Sequence, residues 1–209
     1  MQPFTEITAI AAPFLLANVD TDTIIRPKRR WPPPTSTELG AWAFAALRYL
    51  PDGQPNPDFI LNQPPYNRAQ ILLCGRNFGC GSSRENAVTS LAATGLRCFI
   101  APSYGAIFYN NCFQNGLLPI ELPEDVVAGL ADQVAASPEY NLLTVNLSAS
   151  TVALPKQEPI EFDIDPLRRT ALLAGIDDVS ATMRLNERIE DFRVRDAAER
   201  PWLYQTGVR

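Results

Sequence analysis

Cys80, Ser82, Ser83 and Arg84 stand within five residues of one another, inside the stretch Ile71-Leu-Leu-Cys-Gly-Arg-Asn-Phe-Gly-Cys-Gly-Ser-Ser-Arg84. Hydroxyls and a guanidinium at that spacing could hold an anion or move a proton. The run Ile71, Leu72, Leu73 reads as a buried strand. Glycines at 75, 79 and 81 then break the chain, and from Ser82 or Ser83 the sequence reads as a helix that Gly95 is placed to end. A strand, a glycine turn and a serine-capped helix start make an anion site, because free backbone N–H groups and the positive end of the helix dipole point into the turn. Arg84 adds a planar fork suited to a carboxylate or phosphate. The stretch lacks the Lys of a P-loop, and Arg84 stands where the dinucleotide fingerprint needs a Gly. Form alone leaves two readings open, a small carboxylate or phosphate site and a tight structural turn.

The flanking chain must position that turn. Ile7 to Leu16 reads as a first strand region interrupted at Pro13, followed by a polar turn, Asn18-Val-Asp-Thr-Asp-Thr, whose Asp20 and Asp22 could bond their own backbone. Arg26-Pro-Lys-Arg-Arg-Trp-Pro-Pro-Pro34 is the most basic stretch, stiffened by proline into a loop. Thr35 and Glu38 make a capping box, and Leu39, Trp42, Ala43, Ala46, Leu47 and Leu50 recur at helical spacing until Pro51. Pro51 to Arg68 is a long loop with five prolines, of a length that in a compact domain is usually functional or mobile. The strand to Cys74, the helix from Ser83, a strand over Arg97–Ala101, a helix over Ser103–Asn115 and a strand over Leu117–Leu122 give a β-α-β-α-β rhythm. That rhythm predicts a parallel sheet, whose ligands sit at the carboxyl ends of the strands, where the Gly75–Arg84 turn lies.

Further on, a helix starting near Pro123 runs to Ala136, with Val126, Val127, Leu130 and Val134 inward. Short strands follow over Asn141–Leu147, Thr151–Leu154 and Ile160–Ile164, and Asp165 caps a helix toward Leu173. The tail, about 186–209, is a charged helix over Asn186–Ala198 followed by Pro201-Trp-Leu-Tyr204, which could dock on this chain or on a partner. Residues 1–209 read as a single domain.

Composition removes several classes of function. Histidine is absent from the 209 residues, so Ser-His-Asp and Cys-His nucleophile pairs and His-based metal sites are excluded. Proton chemistry would need carboxylates, Lys, Tyr or an activated hydroxyl, or a group borrowed from a partner. The four cysteines (74, 80, 98, 112) have neither disulfide-framework nor Cys-x-x-Cys spacing, so no metal site is expected on this chain. Buried thiols are the reading for them, with Cys80 the exception by its place in the turn. A net charge of −5 argues against nucleic-acid partners. No apolar run approaches the ~20 residues of a membrane span, and the N-terminus lacks the features of a signal peptide, so the expected setting is cytoplasmic, with no membrane partner.

The wording of the central stretch says more than its form. Asn77-Phe-Gly-Cys-Gly-Ser-Ser-Arg-Glu85 resembles the signature of the aconitase family's mobile swivel domain, in particular that of the small subunits of bacterial 3-isopropylmalate dehydratases. Asn18-Val-Asp-Thr-Asp-Thr-Ile-Ile25 and Ile107-Phe-Tyr-Asn-Asn-Cys-Phe-Gln-Asn-Gly-Leu-Leu-Pro-Ile120 match the same family in the same order, and Leu172-Leu-Ala-Gly-Ile-Asp-Asp178 does so more weakly.

The resemblance implies an α/β fold, the swivelling β/β/α domain of the aconitase type, with the parallel β-α-β-α-β core. It implies a hydro-lyase that interconverts 2-isopropylmalate and 3-isopropylmalate in leucine biosynthesis by dehydration and rehydration. Ser82 would be the base, as its alkoxide, and Ser83 and Arg84 would bind a substrate carboxylate. Asp22 would belong to the site wall. A 4Fe–4S cluster is expected, and with no cysteine set for it here it would sit on a partner large subunit, in a heterodimer or heterotetramer.

Two departures bear on this. Asn86 stands where the family usually has His, so any charge there is lost. The basic loop from Arg26, including Lys28, Arg29 and Arg30, occupies the family's apolar specificity segment. Arg26 and Arg29 would favour either an extra carboxylate on a 2-hydroxy dicarboxylate substrate or an acidic patch on the partner. A citraconate/maleate-type or aconitate-type hydratase therefore stays open beside the isopropylmalate reading, as does a regulatory or nucleic-acid-binding protein derived from the fold.

Overall fold

A computed structural model of the chain describes residues 1–26, 35–81, 85–136 and 141–204. Its centre is a seven-stranded mixed sheet. The strands are β1 (Glu6–Phe14), β2 (Ile71–Cys74), β3 (Cys98–Ala101), β4 (Leu118–Glu121), β5 (Leu142–Asn146), β6 (Thr151–Ala153) and β7 (Ile160–Glu161), and they lie in the order β4-β3-β2-β1-β5-β6-β7. The first four run parallel, with Ala11 opposite Ile71, Ile71 opposite Cys98 and Cys98 opposite Leu118. β5 to β7 extend the other edge antiparallel. Short apolar strands with every residue buried, as in β2 and β3, are what a sheet covered on both faces requires.

The alternation of a strand divides the core in two. Ile71, Leu73, Cys98, Ile100, Leu118 and Ile120 face one side, against α6 (Glu124–Ala136) and α7 (Pro166–Ala174). Leu72, Cys74, Phe99 and Ala101 face the other. There they meet Ile24 of α1 (Thr21–Ile24), Ala43, which ends α2 (Ser36–Trp42), Leu91 of α4 (Glu85–Ala93) and Phe108 of α5 (Ala106–Gln114).

The expected β-α-β-α-β unit is present as β2-α4-β3-α5-β4. The capping box forms, with the Thr35 hydroxyl accepting from the Glu38 N–H and the Thr35 N–H donating to the Glu38 carboxylate. Asp165 caps α7 by accepting the N–H groups of Leu167 and Arg168, each at 3.0 Å.

Three expectations are corrected. β1 is not interrupted at Pro13 but runs on to Phe14. On its β5 side the last bond is from the Ala11 N–H to the Asn141 carbonyl, at 2.8 Å, so a residue without an N–H costs no ladder bond at 13. The helical stripe from Leu39 to Leu50 is not one helix. It breaks at Phe44, which takes φ 56° between α2 and the single-turn α3 (Ala45–Arg48). Phe44 is pulled into the core, its N–H on the Ile24 carbonyl at 2.7 Å and its ring 5.2 Å from Phe14, while Leu50 is left exposed. The polar turn after Asn18 is in part a helix, α1. Beyond α7, α8 (Asp178–Met183) and α9 (Asn186–Glu199) carry the chain into the tail, and α9 is exposed along nearly all its length.

Candidate functional site

The glycine turn lies where a parallel sheet puts its ligands, at the carboxyl ends of β1, β2 and β3. The three segments leaving those strand ends stay laced together. Asp20 bridges Cys80 in parallel, and Phe78 bridges Tyr104. On one flank the Asn18 N–H reaches the Arg76 carbonyl (2.9 Å), the Gly79 N–H reaches the Val19 carbonyl (2.7 Å) and the Thr21 N–H reaches the Cys80 carbonyl (2.9 Å). On the other flank the Phe78 N–H donates to the Ser103 carbonyl (3.0 Å) and the Gly105 N–H to the Phe78 carbonyl (2.9 Å).

Side chains tighten the same seam. Asn77 takes φ 56°, a left-handed conformation that Asn tolerates better than most residues, and so does Asn18. The Asn77 side-chain amide donates to Oδ1 of Asn18 (2.9 Å), and its backbone N–H donates to Oγ of Ser103 (2.9 Å). Behind the seam Phe78, Phe99 and Phe108 pack ring against ring, at centroid distances of 5.3 to 6.0 Å. All three are buried. The turn is therefore braced by neighbours on both flanks and by an aromatic floor beneath, which is the rigid support a positioned reacting group needs.

The predicted site residues divide between placed and undescribed. Asp20 caps α1, its carboxylate accepting from the Thr23 N–H at 2.6 Å, so the self-bonded reading of that aspartate is what the structure has. Asp22 is exposed on the first turn of α1, and Arg26 is exposed just before the basic stretch 27–34, which lies outside the described residues. Asn86 is exposed on the first turn of α4. Ser82, Ser83, Arg84 and Arg29 lie outside the described residues. What is fixed is where their segment leaves and rejoins the fold. Gly81 sits against Asp20 and Thr21, and Glu85 opens α4. Ser103 and the Asn18–Asn77 pair were not legible as a brace, since their bonds join positions 26 and 59 residues apart.

The described cysteines do not fit a metal cluster. Cys74, Cys98 and Cys112 are buried, and burial pushes their thiols well above the ordinary cysteine value, away from the thiolate that binds metal. Cys80 stands apart in the turn, and among the described residues no three potential ligands come together. Among them, too, no helix is long and apolar enough to cross a membrane.

Comparison with known proteins adds to this geometry. The family model described as the aconitase C-terminal domain matches residues 1–125. The small subunit of 3-isopropylmalate dehydratase from Rhodospirillum centenum is 49% identical over 97% of this chain and 98% of its own length. That of Granulibacter bethesdensis is 50% identical over 97% and 96%, and that of Brucella canis 44% identical over 97% and 100%. The solved structure of 3-isopropylmalate dehydratase from Methanocaldococcus jannaschii superimposes with a TM-score of 0.63 at 25% identity, covering 89% of this chain and 99% of that one. The chain belongs to the aconitase C-terminal domain family and, within it, to the small subunits of 3-isopropylmalate dehydratase.

Proposed function

We propose that this chain supplies the base and the carboxylate-binding side of a hydro-lyase that interconverts 2-isopropylmalate and 3-isopropylmalate, a step of leucine biosynthesis. The observation that carries the reading is that the signature segments starting at Asn18 and Asn77 are laced together at one end of the sheet, with Phe108 of the third packed against Gly79 and Phe78, in a chain that matches dehydratase small subunits over 97% of its length. Dehydration takes a proton from one carbon and hydroxide from its neighbour. Rehydration returns them with the two positions exchanged. Ser82 is the base, as its alkoxide. Ser83 and Arg84 hold a substrate carboxylate, and Asp22, Arg26 and Arg29 border the substrate.

A serine hydroxyl is a poor base, so its alkoxide needs oriented N–H donors, nearby positive charge and little water. A helix start beside Arg84 is suited to provide the first two. A turn laced to Val19, Asp20 and Ser103 cannot drift as the substrate binds. The 4Fe–4S cluster of the reaction would be held by a large subunit, since the cysteines described here are not placed for it. The working unit is then a pair of chains, in a heterodimer or heterotetramer.

Two substitutions in the reconstituted pair test this. Ser82→Ala should lower kcat by roughly 10²–10⁴-fold, the range of a positioned acid–base group, and leave folding intact. Arg84→Lys should mainly raise KM, because a point charge replaces a bidentate fork. Near-normal kcat in Ser82→Ala would make that serine a structural cap and place the base elsewhere. Full turnover by this chain alone would remove the two-chain reading.

A further inference from the structure

The site uses the turn and the segments laced to it, but gives no role to the long loop 51–68 or to the leucines that follow β1. That loop is pinned in place. The Asn56 side-chain amide donates to the Leu47 carbonyl (2.9 Å), and the Asn62 amide donates to the carbonyls of Arg48 (2.7 Å) and Asn56 (2.8 Å). Phe59 is buried, edge-on to Phe14 at 5.9 Å. Between the loop and the end of β1 lies a groove of about 530 Å³, walled chiefly by Phe14, Leu15, Leu16, Leu47, Phe59 and Ile60, with Asn56 and Asp58 as its polar members. Leu15 and Leu16 are 43% and 54% exposed. A groove whose walls are already held loses little freedom when it is filled.

We propose that this groove receives an apolar segment of the large subunit. The proposal rests on the reading of the chain as one subunit of a two-chain enzyme. Position chooses the occupant. A substrate held at the turn must also be reached by the cluster, so the chain that carries the cluster has to cover the carboxyl end of the sheet. The groove belongs to that end. Leu15 and Leu16 follow directly on the last residue of β1, and their carbonyls crowd the head of the turn, where a Cβ at Gly75 would lie 2.5 and 2.4 Å from them. Two residues further, Asn18 is bonded to Arg76 and Asn77. A partner that reaches the turn therefore has the two leucines at the border of its footprint. Apolar contact along such a border keeps water from the groups inside it, which a serine alkoxide requires. A second copy of this chain seated in the groove would instead crowd the turn that the large subunit has to reach.

The experiment titrates a fixed amount of the cluster-loaded large subunit with the full-length small subunit and follows dehydratase activity. Leu16→Glu should raise the half-saturating concentration by ten-fold or more, because it buries an unpaired charge in the contact. Leu16→Ala should raise it several-fold, and it carries the test alone if circular dichroism shows that Leu16→Glu does not fold. Both should keep the plateau rate within about two-fold of the parent. Leu167→Glu, at an 81% exposed position on α7, should change neither quantity. An unchanged half-saturating concentration in the folded Leu16 variants overturns the docking proposal alone, even where the plateau rate falls, since Leu16 would then serve the turn. An equal rise in Leu167→Glu overturns it too, as does sedimentation showing that the parent chain forms a dimer that Leu16→Glu dissolves. A parent chain that never activates the large subunit overturns the two-chain reading, and the docking proposal with it.

Discussion

A Cβ atom at Gly79 would lie 2.2 Å from Cγ of Phe108. The backbone of the signature turn and the ring of an α5 residue occupy adjoining space with no room between them. Gly79 also takes φ +71°, so its lack of a side chain answers both a steric and a conformational demand. Phe108 belongs to the third signature segment, and this contact is one reason that segment and the turn need each other.

Gly79→Ala should therefore destabilise the fold by roughly 2–5 kcal/mol, combining about 1–3 for overpacking with about 1–2 for a left-handed L-residue. Gly81 provides the comparison. Its φ is +94°, yet a Cβ there would meet nothing closer than Cβ of Asp20 at 3.5 Å, so Gly81→Ala should show only the backbone cost of about 1–2 kcal/mol. Urea unfolding of the two variants measures the difference. Equal losses would mean that the ring moves aside.

The sequence shows the parallel core because short buried strands and capped helices are written locally. Ile71–Cys74 is apolar throughout, Thr35 with Glu38 makes its own box, and Asp165 and Gly175 bracket α7. What was not legible depends on distant partners. Phe44 breaks a helical stripe because Phe14 and Phe59, far off in sequence, form the pocket that draws it in. Pro13 sits inside a strand because the last bond on the β5 side of that strand is made by Ala11. The site shows the same split. The glycines, serines and arginine of the turn are a local pattern, but the bonds that hold it to Asn18 and Ser103 cross two loops.

The Asn18–Asn77 bond offers a direct test of whether this bracing matters to the reaction. Asn18→Gly keeps the left-handed backbone and removes only the acceptor, so its stability cost should stay within about 1 kcal/mol. If the brace positions Ser82, kcat should fall roughly 10-fold with KM little changed, as small displacements of reacting groups do. Asn18→Asp keeps an acceptor oxygen and should recover most of the rate. In a Ser82→Ala background Asn18→Gly should cost nothing further, and an additive loss there would mean the brace acts through some other group.

The basic loop bears on substrate choice. Arg26 is exposed at the head of that basic stretch, two residues after the end of α1, which flanks the turn. If Arg26 and Arg29 meet the substrate, replacing each by Ala should raise KM for isopropylmalate several-fold and change the ratio of its kcat/KM to those of citraconate and aconitate. If they serve the partner instead, the half-saturating concentration of large subunit should rise while all three ratios stay fixed. No change in either measurement would leave the loop as surface.

The Asp196 clasp should give the tail a stability window bounded on both sides by pH. Its hydrogen bonds from Arg200 and Tyr204 hold the Asp196 carboxyl below the ordinary 3.8, and the same bond holds the Tyr204 hydroxyl above the ordinary 10.0. A depressed carboxyl contributes stability that is present above its unfolded value and lost as pH falls through the folded one. A raised phenol contributes stability that is present below its unfolded value and lost as pH rises through the folded one. Order in the tail should thus be greatest between these limits and decline below about pH 3.8 and above about pH 10. In a Trp31→Phe, Trp42→Phe variant, which leaves Trp202 beside the clasp as the one tryptophan, fluorescence anisotropy should follow both limbs. Tyr204→Phe should move the acid limb upward toward the unperturbed carboxyl value and abolish the alkaline one, with the unfolding of the sheet by circular dichroism unmoved. If the acid limb stays in place in Tyr204→Phe, the tyrosine bond does not hold the tail, and Arg200 alone must do so.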